Sequence, residues 1–253
     1  MKKSKIIISA LLTASAAVTA AVVYSEIQTK KLEETKFAFP EGFTVTAHTG
    51  CMKTEENTIE SMRKGSENAD IIEFDVLTDE NGVPRLAHTS VVPESPTLAE
   101  AFEFIRTHEN IKANVDMKKA ENLAEVQRLA KEHGVLDRIF FTGIREDDVP
   151  AVRENSPEIS YFLNVDVNKR LNRTDSYLQS LADKVKSLGA VGLNIHFGGA
   201  SKELVEVFHR NGLLVSLWTA NTDREILKVL SLSPDNITSR NPDRVCTIIS
   251  EHK

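Results

Sequence analysis

The feature that most constrains the fold is a regular alternation of short apolar runs with longer amphipathic segments from residue 41 to the C-terminus. The intervening segments place apolar residues at i, i+3, i+4 and i+7 and predict helices, at residues 58–69, 97–109, 121–134, 175–189, 201–212 and 222–233. The short runs predict eight strands, at 44–48, 71–76, 113–117, 139–143, 160–165, 191–195, 213–218 and 236–239. Eight β/α alternations favour a closed (β/α)8 TIM barrel of the α/β class over an open sheet.

Composition limits the domain count and the partners. A chain of 253 residues with 41% hydrophobic residues can bury one substantial core. The net charge of −6, without a long basic stripe in the body of the chain, argues against nucleic acid as a partner. The predicted organisation is a targeting segment at 1–25, a charged stem at 26–40 and one barrel domain at 41–253.

The N-terminus predicts export. A basic start is followed by an uncharged run from Ile6 to Tyr24, typical of a signal peptide or a signal anchor. As a helix this run would be roughly 28 Å long, just short of the ~30 Å hydrocarbon layer, so cleavage and anchoring both stay open. Early lysines favour a cytoplasmic N-terminus. The barrel is therefore expected outside the membrane, either anchored to it by the N-terminal helix or secreted.

Two acids interrupt the apolar run DIIEFDV. Glu73 and Asp75 are two residues apart and so leave a strand on the same face. A solvated acidic face is one interpretation, and a cation site is the other. Asp116 repeats the anomaly in the next predicted strand. Three carboxylates on neighbouring strands repel one another unless a cation compensates them, and oxygen-only ligands favour Mg²⁺ or Ca²⁺ over zinc.

The predicted strand ends concentrate polar residues. In a TIM barrel, chemistry occurs where strands end and βα-loops begin. His48 ends the first strand and His88 lies just beyond the second. Either histidine alone has an ordinary structural interpretation, but two beside three acids indicate a shared pocket. The other polar residues at strand ends are Lys118, Asn164, Asp166, His196, Trp218 and Asn221.

An ordered set of short motifs resembles the glycerophosphodiester phosphodiesterase family. The stretches AHTG, EENT, IEFDV, RLAHT and NVDMK resemble, in order, the family's H-R-G, P-E-N-T, E-x-D, H-D and E-x-K motifs. Later, LVSLWTAN and NITSRNPD resemble its W-T-x-N and T-D-x-P segments. Each motif alone is weak, but the series spans almost all of the chain after the stem.

The resemblance implies roles for individual residues. His48 and His88 would be a general acid/base pair, and Glu73, Asp75 and Asp116 would hold one divalent cation, Mg²⁺ or Ca²⁺. The implied substrate-binding residues are Lys118, Trp218, Glu56 and Lys53. For Trp218 plain core packing, and for Lys53 a solvated loop position, are the competing interpretations.

Four departures from the family pattern bear on activity. Thr49 follows the first histidine where the family has an arginine, which removes a bidentate phosphate contact. Thr89 follows the second histidine where an acid is usual, so another group must orient His88. Asp116 replaces the usual glutamate. The insertion after the second histidine is reduced to TSVVPESPTLAE, which weakens the case for glycerol specificity.

The predicted function is that of a metal-dependent phosphodiesterase. Its substrates would be glycerophosphodiesters, lysophospholipid-like molecules or a glycerophosphate polymer. The alternatives are a non-catalytic barrel that binds a phosphodiester or polymer, motivated by Thr49 and Thr89, and a sphingomyelinase D-like phospholipase. Nothing in the spacing of Cys51 and Cys246 requires them to form a disulfide.

Overall fold

The computed structural model describes residues 36–252, together with Leu32 and Glu34. The targeting segment predicted for residues 1–25 lies outside the described residues, as does most of the stem. Within the described part of the chain, no helix combines the length and the apolar character needed to cross a membrane.

The strands close into a barrel. Eight of them run parallel in the order β1-β2-β4-β5-β6-β7-β8-β9, and β1 pairs with both β2 and β9 to complete the ring. The short β3 pairs antiparallel with the end of β2 and stays outside the ring. The strands are β1 Thr44–Ala47, β2 Ile71–Thr78, β3 Pro84–Leu86, β4 Lys112–Met117, β5 Ile139–Ile144, β6 Tyr161–Asn164, β7 Gly192–His196, β8 Leu214–Trp218 and β9 Asn236–Ser239.

Helices surround the barrel. Those of the described residues are α1 Ile59–Gly65, α2 Leu98–Thr107, α3 Leu123–Glu132, α4 Val149–Asn155, α5 Asp175–Ser187, α6 Lys202–Arg210, α7 Asp223–Leu230 and α8 Pro242–Glu251. Local capping explains several starts. Thr97 and Glu100 form a capping box at α2, and Thr222 and Glu225 form another at α7, which satisfies amide groups left unpaired at a helix N-terminus.

Apolar residues alternate with mainly polar ones along the strands of the barrel. In β2, Ile72, Phe74 and Val76 are buried in the apolar core beneath the helices. Most of the intervening residues lie on the opposite face of the strands and are polar, with Phe140 and Phe162 as exceptions, and several of them hydrogen-bond across strands. Asn236 of β9, for example, donates to Thr46 Oγ1 of β1 over 2.7 Å. The acids that interrupt the apolar runs are therefore part of a general inward-facing polar set.

The predicted barrel is confirmed, and each of the eight predicted strands overlaps an observed one. The helices α4 and α8 were not among the predicted segments. Both carry a proline in the first turn, Pro150 and Pro242. Proline is tolerated there because the amide it lacks would have no partner within the helix. In the sequence, however, a proline indicates a helix break, so these helices were missed. The three-residue β3 was also not predicted, because it is too short to show periodicity. Cys51 and Cys246 are not joined by a disulfide.

Candidate active site

The three predicted acids meet at the carboxyl end of the barrel. Glu73 and Asp75 are on β2, and Asp75 lies directly beside Asp116 of β4 in the parallel register. Each offers a carboxylate oxygen within 4.8 Å of the others. Only 5% of Glu73 and 2% of Asp75 are exposed. Charges of one sign are thus packed together where little water can screen them.

Neighbouring groups compensate this acidic cluster in part. The Thr49 amide donates to Glu73 over 2.9 Å. Asn57 binds Asp75 twice, because its Nδ2 donates to Oδ2 and its Oδ1 accepts from the Asp75 amide, each over 2.9 Å. Lys118 Nζ lies 2.7 Å from Asp75 Oδ1 and also pairs with Asp116. One lysine thus serves two of the three carboxylates.

The acids consequently have different proton affinities. Burial, followed by the charges of Asp75 and Asp116, raises the pKa of Glu73 well above its ordinary value. Burial also opposes ionisation of Asp75, but Lys118 and the Asn57 hydrogen bond outweigh it and lower the pKa of Asp75. Burial would lower the pKa of Lys118, whereas Asp116 and Asp75 raise it by more. Lys118 is therefore a permanent cation.

The cluster fits a divalent cation. With Lys118 protonated and all three acids ionised, the set of four carries two net negative charges, which a divalent ion would neutralise. Burial and the neighbouring acids raise the pKa of Glu73 although Lys118 opposes this, and a bound cation would favour the ionised form. Glu73, Asp75 and Asp116 offer oxygen atoms only, the donor set preferred by Mg²⁺ and Ca²⁺.

His48 follows β1 on one flank of the cluster. Its Nδ1 lies 3.9 Å from Glu73 Oε2 and 2.9 Å from the Thr49 carbonyl. A carbonyl only accepts, so we assign the proton of the neutral ring to Nδ1 from this shorter contact, which leaves a lone pair on Nε2. Arg240 Nε, 3.3 Å from the same Nδ1, then acts on the ring as a nearby charge and not as a hydrogen-bond donor. Burial is the main cause that keeps the pKa of His48 below its ordinary value of 6.5. The Arg240 charge adds to this, against the hydrogen bond to Thr49.

His88 lies on the other flank, after β3. Its Nδ1 is 3.1 Å from Asp75 Oδ2, and 60% of its side chain is exposed. Asp75 therefore orients the ring, a role that Thr89 cannot fill. The orienting group missing from the sequence motif comes from the acidic cluster itself.

Arg240 is a site residue that the sequence did not indicate. It follows β9, and its Nε lies 3.3 Å from His48 Nδ1 while its guanidinium pairs with Glu56. Although Thr49 removes the arginine expected after His48, the structure supplies a guanidinium to the same histidine from the opposite end of the chain. Glu56, predicted to bind substrate, is exposed and holds Arg240 in this position.

Thr49 and Asn57 support the loop that contacts the acidic cluster. Thr49 is 2% exposed, and its hydroxyl accepts from the Asn57 amide over 2.5 Å. Asn57 has a left-handed backbone (φ 58°), which asparagine adopts more readily than most residues. The EENT stretch indicated this loop, but nothing in it showed that Asn57 contacts Asp75.

A cavity of about 320 Å³ opens over these groups. Of the predicted residues, it is lined by His48, Glu73, His88, Asp116, Lys118 and Trp218. Polar residues to which the sequence assigned no individual role complete the wall, and they are Asn114, Thr142, Arg145, Asn164, Asn194 and Thr238. Lys53 is exposed and does not line the cavity, so a substrate contact by Lys53 stays a prediction.

Gly143 makes room for the third acid. Its φ is 78°, and a Cβ at this position would lie 2.7 Å from Asp116 Oδ1 and 2.3 Å from the Met117 carbonyl oxygen. Any other residue would displace the end of β4, which carries the carboxylate. The glycine is thus required by both conformation and close approach.

Comparisons with known proteins agree with this arrangement. The sequence model of the glycerophosphoryl diester phosphodiesterase family matches residues 88–244, more than half of the chain. The chain belongs to this family. The match begins at His88, so His48, Glu73 and Asp75 precede it, and their assignment rests on the geometry described above.

Individual relatives are distant. A glycerophosphodiester phosphodiesterase of Bacillus altitudinis is 24% identical over 164 residues, which are 62% of this chain and 64% of the relative. The aligned part is therefore less than two thirds of that family member.

Solved structures share the fold. A phosphodiesterase of Oleispira antarctica, in complex with the product sn-glycerol-3-phosphate, matches with a TM-score of 0.68 at 19% identity, over 81% of this chain and 96% of the other. A glycerophosphodiester phosphodiesterase of Agrobacterium tumefaciens matches with a TM-score of 0.66 at 15% identity, over 81% and 99%. Both share the family's barrel with this chain.

Removing one acid should weaken cation binding. In calorimetry of metal-stripped protein, we expect one site for Mg²⁺ or Ca²⁺, and Asp75→Asn should lower its affinity by at least about tenfold, the least expected when even an outer-shell partner is lost. Because Glu73 holds its proton unusually tightly, binding should release a proton and strengthen as pH rises. The control is Glu80→Gln in the exposed turn after β2. Equal losses in the two variants would contradict the site.

Removing the Arg240 charge should make His48 easier to protonate. We expect Arg240→Gln to raise the pKa of His48, measured by NMR titration of the ring protons, because a nearby cation disfavours the imidazolium form. Arg244→Gln is the matched control, since Arg244 is nearby in sequence but pairs with Asp223 and Glu251. An unchanged or lower pKa in Arg240→Gln would refute the described contact.

Proposed function

We propose that this protein is a metal-dependent phosphodiesterase that hydrolyses glycerophosphodiester-type substrates by acid–base catalysis. The observation that carries the proposal is the placement of two histidines on opposite flanks of one acidic cluster, at 3.9 Å from Glu73 and 3.1 Å from Asp75. Family membership supports the same reaction class.

The environments of the two histidines suit different roles. His48 has its Nδ1 proton engaged by the Thr49 carbonyl, and its lowered pKa keeps it neutral. Its Nε2 can therefore accept a proton from the nucleophile, which is water or a substrate hydroxyl beside the phosphate. His88 donates through Nδ1 to the Asp75 carboxylate, which orients the ring so that its protonated form can donate a proton to the leaving alkoxide.

A cation and a lysine would handle the phosphate charge. Glu73, Asp75 and Asp116 would hold Mg²⁺ or Ca²⁺, which when bound stabilises negative charge on the non-bridging phosphoryl oxygens. Lys118 is partly exposed and lines the cavity, so it can donate to the same phosphate. Trp218, at the end of β8, offers an apolar face to the carbon skeleton of a polyol.

A non-catalytic binding barrel is the competing function. It was suggested by Thr49 and Thr89, whose family counterparts contact phosphate and orient a histidine. The structure offers Arg240 beside His48 and Asp75 beside His88, so neither departure leaves its histidine without a charged neighbour. These contacts support the catalytic proposal over the binding one.

We expect an export signal to place the barrel outside the cell membrane. If residues 1–25 target the chain as proposed, protease added to intact cells should digest the barrel. Salt and alkaline washing should then separate a secreted or peripheral form from an anchored one. Should the barrel survive protease until the cells are lysed, the extracytoplasmic assignment fails.

Replacement of either histidine should abolish most turnover. We expect His48→Ala and His88→Ala each to lower kcat by roughly 10²- to 10⁴-fold, the usual worth of general acid–base catalysis, with much less change in substrate affinity. The measurement is release of glycerol 3-phosphate from glycerophosphocholine and glycerophosphoglycerol with Mg²⁺ or Ca²⁺.

His209→Ala is the control, because His209 lies on α6 and pairs with Asp235 over 2.8 Å. The rate of the wild-type protein should pass through a maximum with pH, since one histidine must be neutral and the other protonated. Wild-type turnover in both single variants, or tight binding without turnover under either metal, would favour the binding barrel.

A further inference from the structure

A second cavity adjoins the one that holds the acids. It has a volume of about 500 Å³ and shares Arg145, Asn164, Asn194 and Trp218 with the first. Because these four residues line both, the cavities are consecutive parts of one groove across the barrel mouth. The second part is built by the loops after β5 to β8, away from the acidic cluster.

The second cavity has the opposite chemistry. Its basic and imidazole side chains are Arg145, Lys169 and His196, against one acid, Asp166. Asp166 is 94% exposed and lies 3.4 Å from Arg145, so it is well solvated and neutralises little. Lys169 has no carboxylate within 4 Å among residues 36–252, and its Nζ lies beside Gly198. This part of the groove is suited to an anion.

His196 adds a directed donor. Its Nδ1 accepts the Gly198 amide over 3.0 Å, so the neutral ring has its proton on Nε2. The ring also packs edge-on against Trp218 at 5.6 Å between centroids, which fixes its plane. The Nε2–H group is thus available to an acceptor in the cavity that His196 lines.

Positive charge continues along the outer edge. The loop between β6 and α5 contains Lys169, Arg170 and Arg173 within the stretch NKRLNR, and all three are exposed. Arg173 Nε lies 3.8 Å from Glu203 Oε2, near the longest distance at which an ion pair forms, so Glu203 neutralises Arg173 weakly. In a protein of net charge −6, such a basic edge at one side of a phosphate-processing groove would attract an anionic chain that extends from it.

We propose that the cavity bounded by Arg145, Lys169 and His196 binds the phosphate next to the scissile one, so that the substrate is an extended polyol-phosphate chain rather than a single diester. The proposal rests on the proposed phosphodiesterase function. Trp218 lines both cavities and would contact the intervening polyol. A groove can enclose a flexible chain, whereas a flat lipid surface could not enter it.

The test compares substrates of different length. The full chain is assayed with glycerophosphoglycerol and with a short glycerol phosphate oligomer that carries several phosphodiesters. We expect kcat/KM to be at least about tenfold higher for the oligomer, the usual effect of one charge-assisted hydrogen bond. The preference should shrink as salt is added. Equal kcat/KM values for the two substrates would overturn the proposal.

Variants locate the effect. Lys169→Glu should bring the ratio of the two kcat/KM values close to one, whereas Lys131→Glu, on the distant helix α3, should preserve it. Thermal unfolding of each variant checks that the fold is retained. A preference that survives Lys169→Glu would overturn the assignment of this cavity.

Two further outcomes separate the hypotheses. If neither substrate is cleaved, the proposed function itself fails, whereas cleavage of glycerophosphoglycerol without a length preference rejects only the subsite. Binding to vesicles of phosphatidylglycerol and phosphatidylcholine is measured in parallel. If Lys169→Glu weakens vesicle binding but leaves the length preference intact, the basic loop contacts membranes and the polymer proposal is wrong.

Discussion

Repulsion among three buried carboxylates is the constraint around which the mouth of this barrel is arranged. Glu73, Asp75 and Asp116 have oxygen atoms within 4.8 Å of one another, where low polarity magnifies every charge. The surrounding groups reduce this repulsion or make room for the acids. The Thr49 amide, the Asn57 amide group and Lys118 all donate to the cluster, and Gly143 leaves space for it.

The strands were predictable because their signal is local. An apolar residue at every second position and a polar one between them is visible in DIIEFDV without any partner, and the same holds for the acids as anomalies in an apolar run. Side-chain partners are a different matter. Arg240 meets His48 across 192 residues, and no periodicity links two such positions.

The departures from the family motifs show the same limit. Thr49 and Thr89 indicated lost contacts when each was considered by position alone. In the fold, Thr49 supports the loop that carries Asn57, and Asp75 takes over the orientation of His88. A motif specifies which residues are present, whereas the three-dimensional arrangement decides which of them contact one another.

The pairing of β1 with β9, which closes the barrel, has a consequence for the order in which the chain folds. The His48 amide donates to Ser239 and the Met52 amide donates to Arg240, each over 2.9 Å, so the first histidine is held by the last strand and the loop after it. Pairs so far apart in sequence close late, since a long loop must first be ordered. The acids of β2 and β4, by contrast, come from directly paired strands and can assemble before β9 joins the barrel. A chain clipped before β9 would then contain the acidic cluster without the backbone support of His48.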